Sequence, residues 1–270
     1  MSDSTRSGPP VRYETEQGVA TITLSRPDEM NSLNRATKDA LLEAVRRAAA
    51  DDVVRCVLLT GSGRAFCVGQ DLREHIDNLT TKRLEDVWST VADHYTPLAL
   101  TLATMSKPVV AAVNGVAAGA GMSIALACDL RIAAESAGFN SAFAAVGLSC
   151  DTGLSWTLPR VVGLGKAAEL LMLPRTITAD EALALGLISQ VVPDDELASR
   201  SAGVARRLAG GPTLAYASIK KAIRYAATHS IDEALAFEGQ LMALTGASDD
   251  HLNAVQSFVA AKAKPAFQGH

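Results

Sequence analysis

The sequence predicts an α/β fold followed by an all-helical C-terminal region. Three observations carry this. Short apolar runs rich in β-branched residues alternate with helical stretches to about residue 192, whereas from Asp194 onward only helical patterning is found. The chain has 270 residues, enough to bury one large core. Hydrophobic residues make up 48% and charged residues 20%, a composition that excludes a disordered chain.

Met1–Pro10 is polar, with Ser, Gly and Pro, and is expected to be a disordered tail; it lacks the basic start and apolar core of a signal peptide. Val19–Leu24 alternates as a half-buried strand does, and Ser25-Arg-Pro-Asp28 breaks it. Asn34 is placed to cap a helix running to about Ala50, with Leu41, Leu42 and Val45 on one face. Val53–Leu59 reads as a buried strand turned by Gly61-Ser-Gly63. Glu74–His94 and Pro97–Met105 read as helices, and Pro108–Val113 as a second buried strand. Asn114-Gly115 turns into a small-residue helix over Gly119–Ala127, and Leu130–Ala133 is a third strand. Gly153–Val162, Lys166–Met172 and Ala179–Leu185 follow as helices, then Ile188–Val192 as a strand. Four helices complete the chain, at about 194–209, 213–228, 231–245 and 249–262.

Several function classes are disfavoured. A formal net charge of -4 with no basic stripe argues against nucleic acid as a partner. No apolar run approaches the roughly 18 residues that span a bilayer. The richest stretch, Val109–Ala127, is interrupted by Asn114, Gly115, Gly119, Gly121 and Ser123. Cys56, Cys67, Cys128 and Cys150 form no CxxC pair, which suits reduced, mostly buried thiols in a soluble cytoplasmic protein. No His/Cys metal spacing and no Ser–His–Asp grouping is visible. No metal is expected, and no phosphate-loop or dinucleotide fingerprint is present.

Two segments carry chemistry: Gly63-Arg-Ala-Phe-Cys-Val-Gly-Gln-Asp-Leu72 and Val113–Leu130. Each runs from a strand through a Gly-containing turn to a helix start. Glycine lets the backbone approach a ligand, and a helix N-terminus offers free N–H groups. Two such groups aimed at one point can hold a thioester carbonyl and the charge that develops on it. The same small residues also serve tight packing of a helix on a sheet.

Together these segments resemble the two oxyanion-hole motifs of the crotonase (enoyl-CoA hydratase/isomerase) superfamily. Phe66-Cys-Val-Gly-Gln-Asp-Leu72 is similar to the first motif. Asn114-Gly115 with Gly119-Ala-Gly121 and Cys128-Asp129 is similar to the second. Arg26-Pro27, Asn31-Ser-Leu33, Leu158-Pro-Arg160, Val162-Gly163, Ala182, Gly186-Leu187, Lys262 and Phe267 follow in the family's order over nearly the whole chain. The resemblance implies a ClpP-like spiral of ββα units over residues 11–195. A helical region over 196–270 would make homotrimers or hexamers. The substrate it implies is an acyl-CoA thioester whose coenzyme A is part of the substrate, with no separate cofactor. It places the oxyanion donors at the backbone N–H of Gln70 and Ala120. Arg26, Val68, Gly69, Asp71, Leu72, Gly119 and Phe143 lie around the bound thioester. Lys262 matches a lysine that contacts CoA phosphates, though it also reads as an ordinary exposed lysine.

The hydratases of this family use two glutamates, and the matching positions here are Ser123 and Phe143. Neither can activate water or supply a proton at a useful pKa. One carboxylate remains in the segment, Asp151. As a residue on its own it could cap the helix starting near Gly153. An Asp at this point resembles a functional Asp of ring-1,2-epoxyphenylacetyl-CoA isomerases, dienoyl-CoA isomerases and 4-chlorobenzoyl-CoA dehalogenases; the first match best in Ala142-Phe143, Asp151, Gly153 and Trp156. The expected function is double-bond isomerisation of an enoyl-CoA, or of an epoxidised phenylacetyl-CoA, with Asp151 as proton shuttle. Rivals are an enoyl-CoA hydratase of β-oxidation, a reaction with Asp151 as nucleophile, and a non-catalytic acyl-CoA-binding homologue. Glu74 and Asp77 read as surface helix charges, His75 and His94 as surface or pocket-edge residues, and Trp88, Tyr95 and Trp156 as packing or pocket wall.

Overall fold

The computed structural model describes residues 8–261 and 265–270. It opens with a hairpin of β1 (Val11–Glu16) and β2 (Val19–Leu24), paired antiparallel with Glu16 opposite Val19. The two turn residues, Gln17 and Gly18, have φ of 50° and 76°, the twist a two-residue hairpin turn needs. β1 was not expected, since Val11 is its one buried residue and it carries no core pattern.

Helix α1 (Arg35–Ala50) is capped by Asn34, whose side chain accepts from the Thr37 amide at 2.9 Å. After it come β3 (Cys56–Gly61), β4 (Ala65–Cys67), α2 (Leu72–Thr81), α3 (Leu84–Thr90), a π-helical turn (Val91–Tyr95) and α4 (Thr96–Thr104). Then follow β5 (Val109–Val113), β6 (Val116–Ala118), α5 (Ala120–Ala127), β7 (Leu130–Ala134) and β8 (Gly138–Asn140). A 3-10 turn (Phe143–Val146) leads to α6 (Leu154–Val162), α7 (Leu164–Met172), β9 (Ile177–Thr178), α8 (Ala179–Ala184) and β10 (Gln190–Val192). The chain closes with α9 (Leu197–Ala209), α10 (Thr213–Ala226), α11 (Ile231–Gly246) and α12 (Asp249–Ala261).

The larger sheet has the order β1-β2-β3-β5-β7-β10 and the smaller one β4-β6-β8-β9. Successive turns of the chain give one strand to each sheet and then a helical stretch. This is the expected spiral of ββα units. From β2 to β10 the large sheet is parallel, with Val19 beside Cys56, Val57 beside Val109 and Val110 beside Leu130. Parallel strands are covered on both faces, which is why Val109–Val113 is buried at every position. One face packs on α1, α4 and α5; the other, with Val19, Leu58, Val110 and Ile132, packs on Leu197, Ala205 and Ala209 of α9. α10 is tied to the sheet end by Lys220, which donates to Asp129 at 2.7 Å.

Two expectations need correction. The single helix over Glu74–His94 is three pieces: the chain breaks between α2 and α3, where Lys82 is extended, and α3 then runs directly into a π-helical turn. α2 buries no residue and α3 only Val87, so this segment wraps the surface instead of packing as one rod. The strand expected from Val53 begins at Cys56, since Val53 lies 71% exposed in the loop after α1. Among the described residues no helix is long and apolar enough to cross a membrane.

Candidate active site

The two glycine-bearing segments meet. Leu33 donates to the Gly69 carbonyl at 2.8 Å and accepts from the Asp71 amide at 3.2 Å. Gln70, held between those bonds in a parallel bridge to Leu33, therefore directs its own N–H to the opposite side. On that side lies the start of α5. Gly119 caps it and donates its own amide to Asn140 at 2.9 Å. Ala120, the first helical residue, has no intrahelical acceptor for its amide. A Cβ on Gly69 would lie 2.9 Å from the Ala118 carbonyl oxygen and 3.1 Å from the Ala120 nitrogen, so the two turns are in direct contact. A Cβ on Gly121 would fall 2.0 Å from the Cys67 carbonyl, so only glycine lets α5 begin against β4.

Gln70 and Ala120 line a cavity of about 120 Å3 together with Val68, Leu72, Gly119, Phe143, Leu148 and Asp151. Trp88, Tyr95 and His75 close its far wall, the last in edge contact with Trp88 at 5.4 Å. Asp151 is the one carboxylate among the described lining residues. It does not cap α6: Gly153 occupies that position without a side-chain cap bond, and the Asp151 carboxylate accepts from the Thr152 hydroxyl at 2.7 Å. Burial pushes its carboxyl above the ordinary value, while the Thr152 hydroxyl and the Lys38 ammonium pull the other way. Thr152 has φ of 53° and Ala142 of 59°, conformations that cost a β-branched or Cβ-bearing residue about 1–3 kcal/mol and cluster at functional sites. Both flank the cavity wall that carries Phe143 and Asp151.

Other expected site residues are placed as follows. Arg26 and Asp71 are 3.1 Å apart and bind each other and Ser32, beside the Gly69-Gln70 turn. Burial opposes the Asp71 charge, but the Ser32 hydroxyl, the Glu74 amide and Arg26 together hold its carboxyl below the ordinary value. Asp71 also caps α2, accepting from Arg73 and Glu74 at 3.2 Å. Ser123 is fully buried and donates to the Gly119 carbonyl at 3.1 Å, so its hydroxyl does not face the cavity. Lys262 lies outside the described residues. Cys56, Cys67 and Cys128 are buried thiols pushed up to about 12 by burial, and Cys150 is half-buried. Trp156 lies away from this cavity, stacked by Arg160 at 4.0 Å. No group of three potential metal ligands occurs among the described residues.

A buried polar chain under the cavity went unread in the sequence. Lys38 donates to Thr90 at 2.8 Å and to the Gln70 side-chain oxygen at 3.3 Å, and the Tyr95 hydroxyl donates to that same oxygen at 2.6 Å. Thr90 meets His94 at 3.1 Å, and His94 meets Asp39 at 2.9 Å. His94, expected at a surface or pocket edge, is therefore buried on the π-helical turn. Glu74, expected as a surface charge, is half-buried and accepts from the Arg35 amide at the start of α1. One signal was present: Lys38 precedes Leu41 and Val45 by three and seven positions and so shares their buried helix face.

A family model described as enoyl-CoA hydratase/isomerase matches residues 14–270. The chain is 44% identical over 255 residues to the 1,2-epoxyphenylacetyl-CoA isomerase of Escherichia coli K12, covering 94% of this chain and 96% of that one. It is 42% identical over 259 residues to a protein of Rhodobacter capsulatus named "Probable enoyl-CoA hydratase", covering 96% and 98%. The crystal structure of an enoyl-CoA hydratase from Bacillus anthracis superposes with a TM-score of 0.90 at 31% identity, over 97% of this chain and 100% of that one.

Proposed function

The chain belongs to the enoyl-CoA hydratase/isomerase family, and from that premise we propose that it is an isomerase that shifts a double bond within an enoyl-CoA, or rearranges an epoxidised phenylacetyl-CoA. The observation that carries this reading is the lone carboxylate: Asp151 stands in the cavity without a second acidic partner among the described residues. Hydration needs one group to deprotonate water and a source of the α-proton. A 1,3-shift needs one group used twice.

The proposed steps balance without an added cofactor or metal. The thioester oxygen is held by the Gln70 and Ala120 amides. The Asp151 carboxylate removes a proton from C2 of a 3-enoyl thioester, and the electron pair moves onto the carbonyl oxygen as a dienolate. The two amides stabilise that charge in a cavity lined mostly by apolar side chains. Asp151 then returns the same proton to C4, leaving the bond conjugated at C2–C3. A carboxyl raised by burial is a stronger base than an exposed aspartate, which suits the first step.

We further propose that copies of the chain associate through the helical C-terminal region. α11 buries no residue of its own, and Ile231, Met242 and Phe258 are 78%, 72% and 72% exposed. Large apolar side chains at this density mark an interaction face. A trimer or hexamer is the assembly the family resemblance implies.

The catalytic reading is tested by ultraviolet absorbance with a 3-enoyl-CoA and a 2-enoyl-CoA on wild type and Asp151→Asn. Rising absorbance with the 3-enoyl substrate, lost in Asp151→Asn, is the expected result. Falling absorbance with the 2-enoyl substrate, unaffected by the substitution, would establish a hydratase instead. Binding of these thioesters with no turnover by wild type of either enoyl-CoA or of an epoxidised phenylacetyl-CoA would establish a non-catalytic homologue.

A further inference from the structure

We propose that Trp88 is a specificity-determining residue: backed by His75, it ends the acyl cavity, so that the site takes a compact acyl group and turns away long chains. The proposal rests on the reading given above, in which the thioester oxygen sits between the Gln70 and Ala120 amides. Trp88, Val91 and Tyr95 all line the cavity. They stand at i, i+3 and i+7 of a run that stays helical from α3 through the π turn, since Thr90, Val91 and Thr96 all hold right-handed helical angles. Residues at that spacing project from one face. The Tyr95 hydroxyl donates to the Gln70 side chain at 2.6 Å, which places one end of this face beside Gln70. Seven residues at about 1.5 Å each set Trp88 about 10 Å away from Tyr95 along the helix axis.

The indole is not a loose surface side chain. The His75 ring stands edge-on to it, with centroids 5.4 Å apart and planes at 63°. His75 comes from α2, whose first turn is fixed by the Asp71 carboxylate. The two rings therefore join α2 and α3 across the end of the cavity. Behind His75 lies a separate polar cavity of about 80 Å3, whose walls include Lys38, Glu74 and Asp86. An apolar chain that passed His75 would have to strip water from those groups, which is costly.

The space short of the indole is apolar at its sides, with Val68, Leu72, Phe143 and Leu148. It suits a hydrocarbon or a ring. An extended chain advances about 1.2 Å per bond, so a reach of about 10 Å holds an acyl group of about eight carbons. Beyond the indole the surface is apolar again. Leu84, one turn before Trp88 on the same face, is exposed, and so is Ile76 next to His75. A longer chain has a surface to lie on once the indole is removed.

The test is calorimetric binding of saturated acyl-CoAs from butanoyl to dodecanoyl, kept below the concentrations at which they form micelles. These thioesters have no double bond to shift, so binding is read apart from turnover. Wild-type affinity should rise about 4-fold per methylene up to about octanoyl and then stop rising. In Trp88→Ala the rise should continue, so that dodecanoyl-CoA binds at least about 10-fold tighter than to wild type, while butanoyl-CoA changes by less than about 3-fold. Trp88→Phe should fall between the two. Trp88 is 39% exposed and α3 buries only Val87, so these variants are expected to fold. Circular dichroism checks this, and Trp88→Phe, the milder change, carries the test if Trp88→Ala does not fold. A wild-type series with no break, or the same break in wild type and the folded variant, overturns the proposal. So does failure to bind any of the series. Turnover of a 3-enoyl-CoA with an unmoved break upholds the isomerase reading and rejects Trp88 as the wall. A moved break in a protein without isomerase turnover does the reverse.

Discussion

At Asp151 burial and hydrogen bonding oppose each other, and in the proposed reaction that balance sets the working pH. The carboxyl is raised by burial, so its folded-state value lies above that of the unfolded chain. If Asp151 is the base of the proposed isomerisation it must be ionised, and the rate should fall as pH drops through a limb above the ordinary carboxylate range. For stability the sign is opposite: the protonated form is the favoured buried form, so stability is fully present at low pH and lost as pH rises through the folded value. Asp151→Asn is therefore expected to lower kcat by about 10²–10⁴-fold while raising Tm at pH 8 more than at pH 4, read by calorimetry. Thr152 adjusts the same group. Thr152→Val, which removes the 2.7 Å hydroxyl bond, should shift the acid limb to higher pH, and Thr152→Ser should leave it in place.

At the scale of elements, the proposed oxyanion geometry depends on how closely α5 starts against β4. The helix begins where a Cβ at Gly121 would sit 2.0 Å from the Cys67 carbonyl. Backbone cannot yield there as a flexible side chain could. Gly121→Ala is expected to cost about 1–3 kcal/mol in urea unfolding by overpacking. It should also lower kcat about 100-fold by moving the Ala120 amide. A variant that unfolds normally and turns over at the wild-type rate would show that α5 does not supply the oxyanion donor. The segment from α2 to α4 sets the opposite wall. Its bend at Lys82 and its π-helical turn bring Trp88, Tyr95 and Thr90 to one cavity.

For the whole molecule, the β/α part buries both faces of its large sheet, whereas the last helices do not cover themselves. Ile219 and Ile223 on α10 are 56% and 67% exposed, and Val259 on α12 is 78% exposed. Light scattering should give a mass that is a multiple of the 28.2 kDa chain. Ile223→Asp with Phe258→Asp should lower that mass and leave the far-ultraviolet circular dichroism unchanged. A wild-type mass equal to one chain would remove the association proposal and leave the catalytic one intact.

The sequence by itself determined the class and order of the main elements. Val19–Leu24 and Val109–Val113 were legible because their apolar pattern is a local property. α1 was legible from Asn34, which caps it as read. Gly69, Gln70, Gly119, Ala120 and Asp151 stand out in the sequence because chemistry and family resemblance mark the residue types themselves, and the structure brings them to one place. The short strands β4, β6, β8 and β9 were not, since two or three residues carry no period. The bend at Lys82 has no Gly or Pro to announce it. Lys38 is not legible in the sequence, because a lysine in a helix reads as solvent-facing until the packing shows which side is inside. Tertiary structure alone decided that Gly69 touches the turn at Ala120, that Lys38 and Tyr95 share the Gln70 oxygen, and that Asp151 is the one carboxylate among the described residues lining the cavity. Local preferences fix what a segment forms. Contacts between residues tens of positions apart depend on where closed turns of the chain bring them, and the charge state of a side chain depends on what then surrounds it.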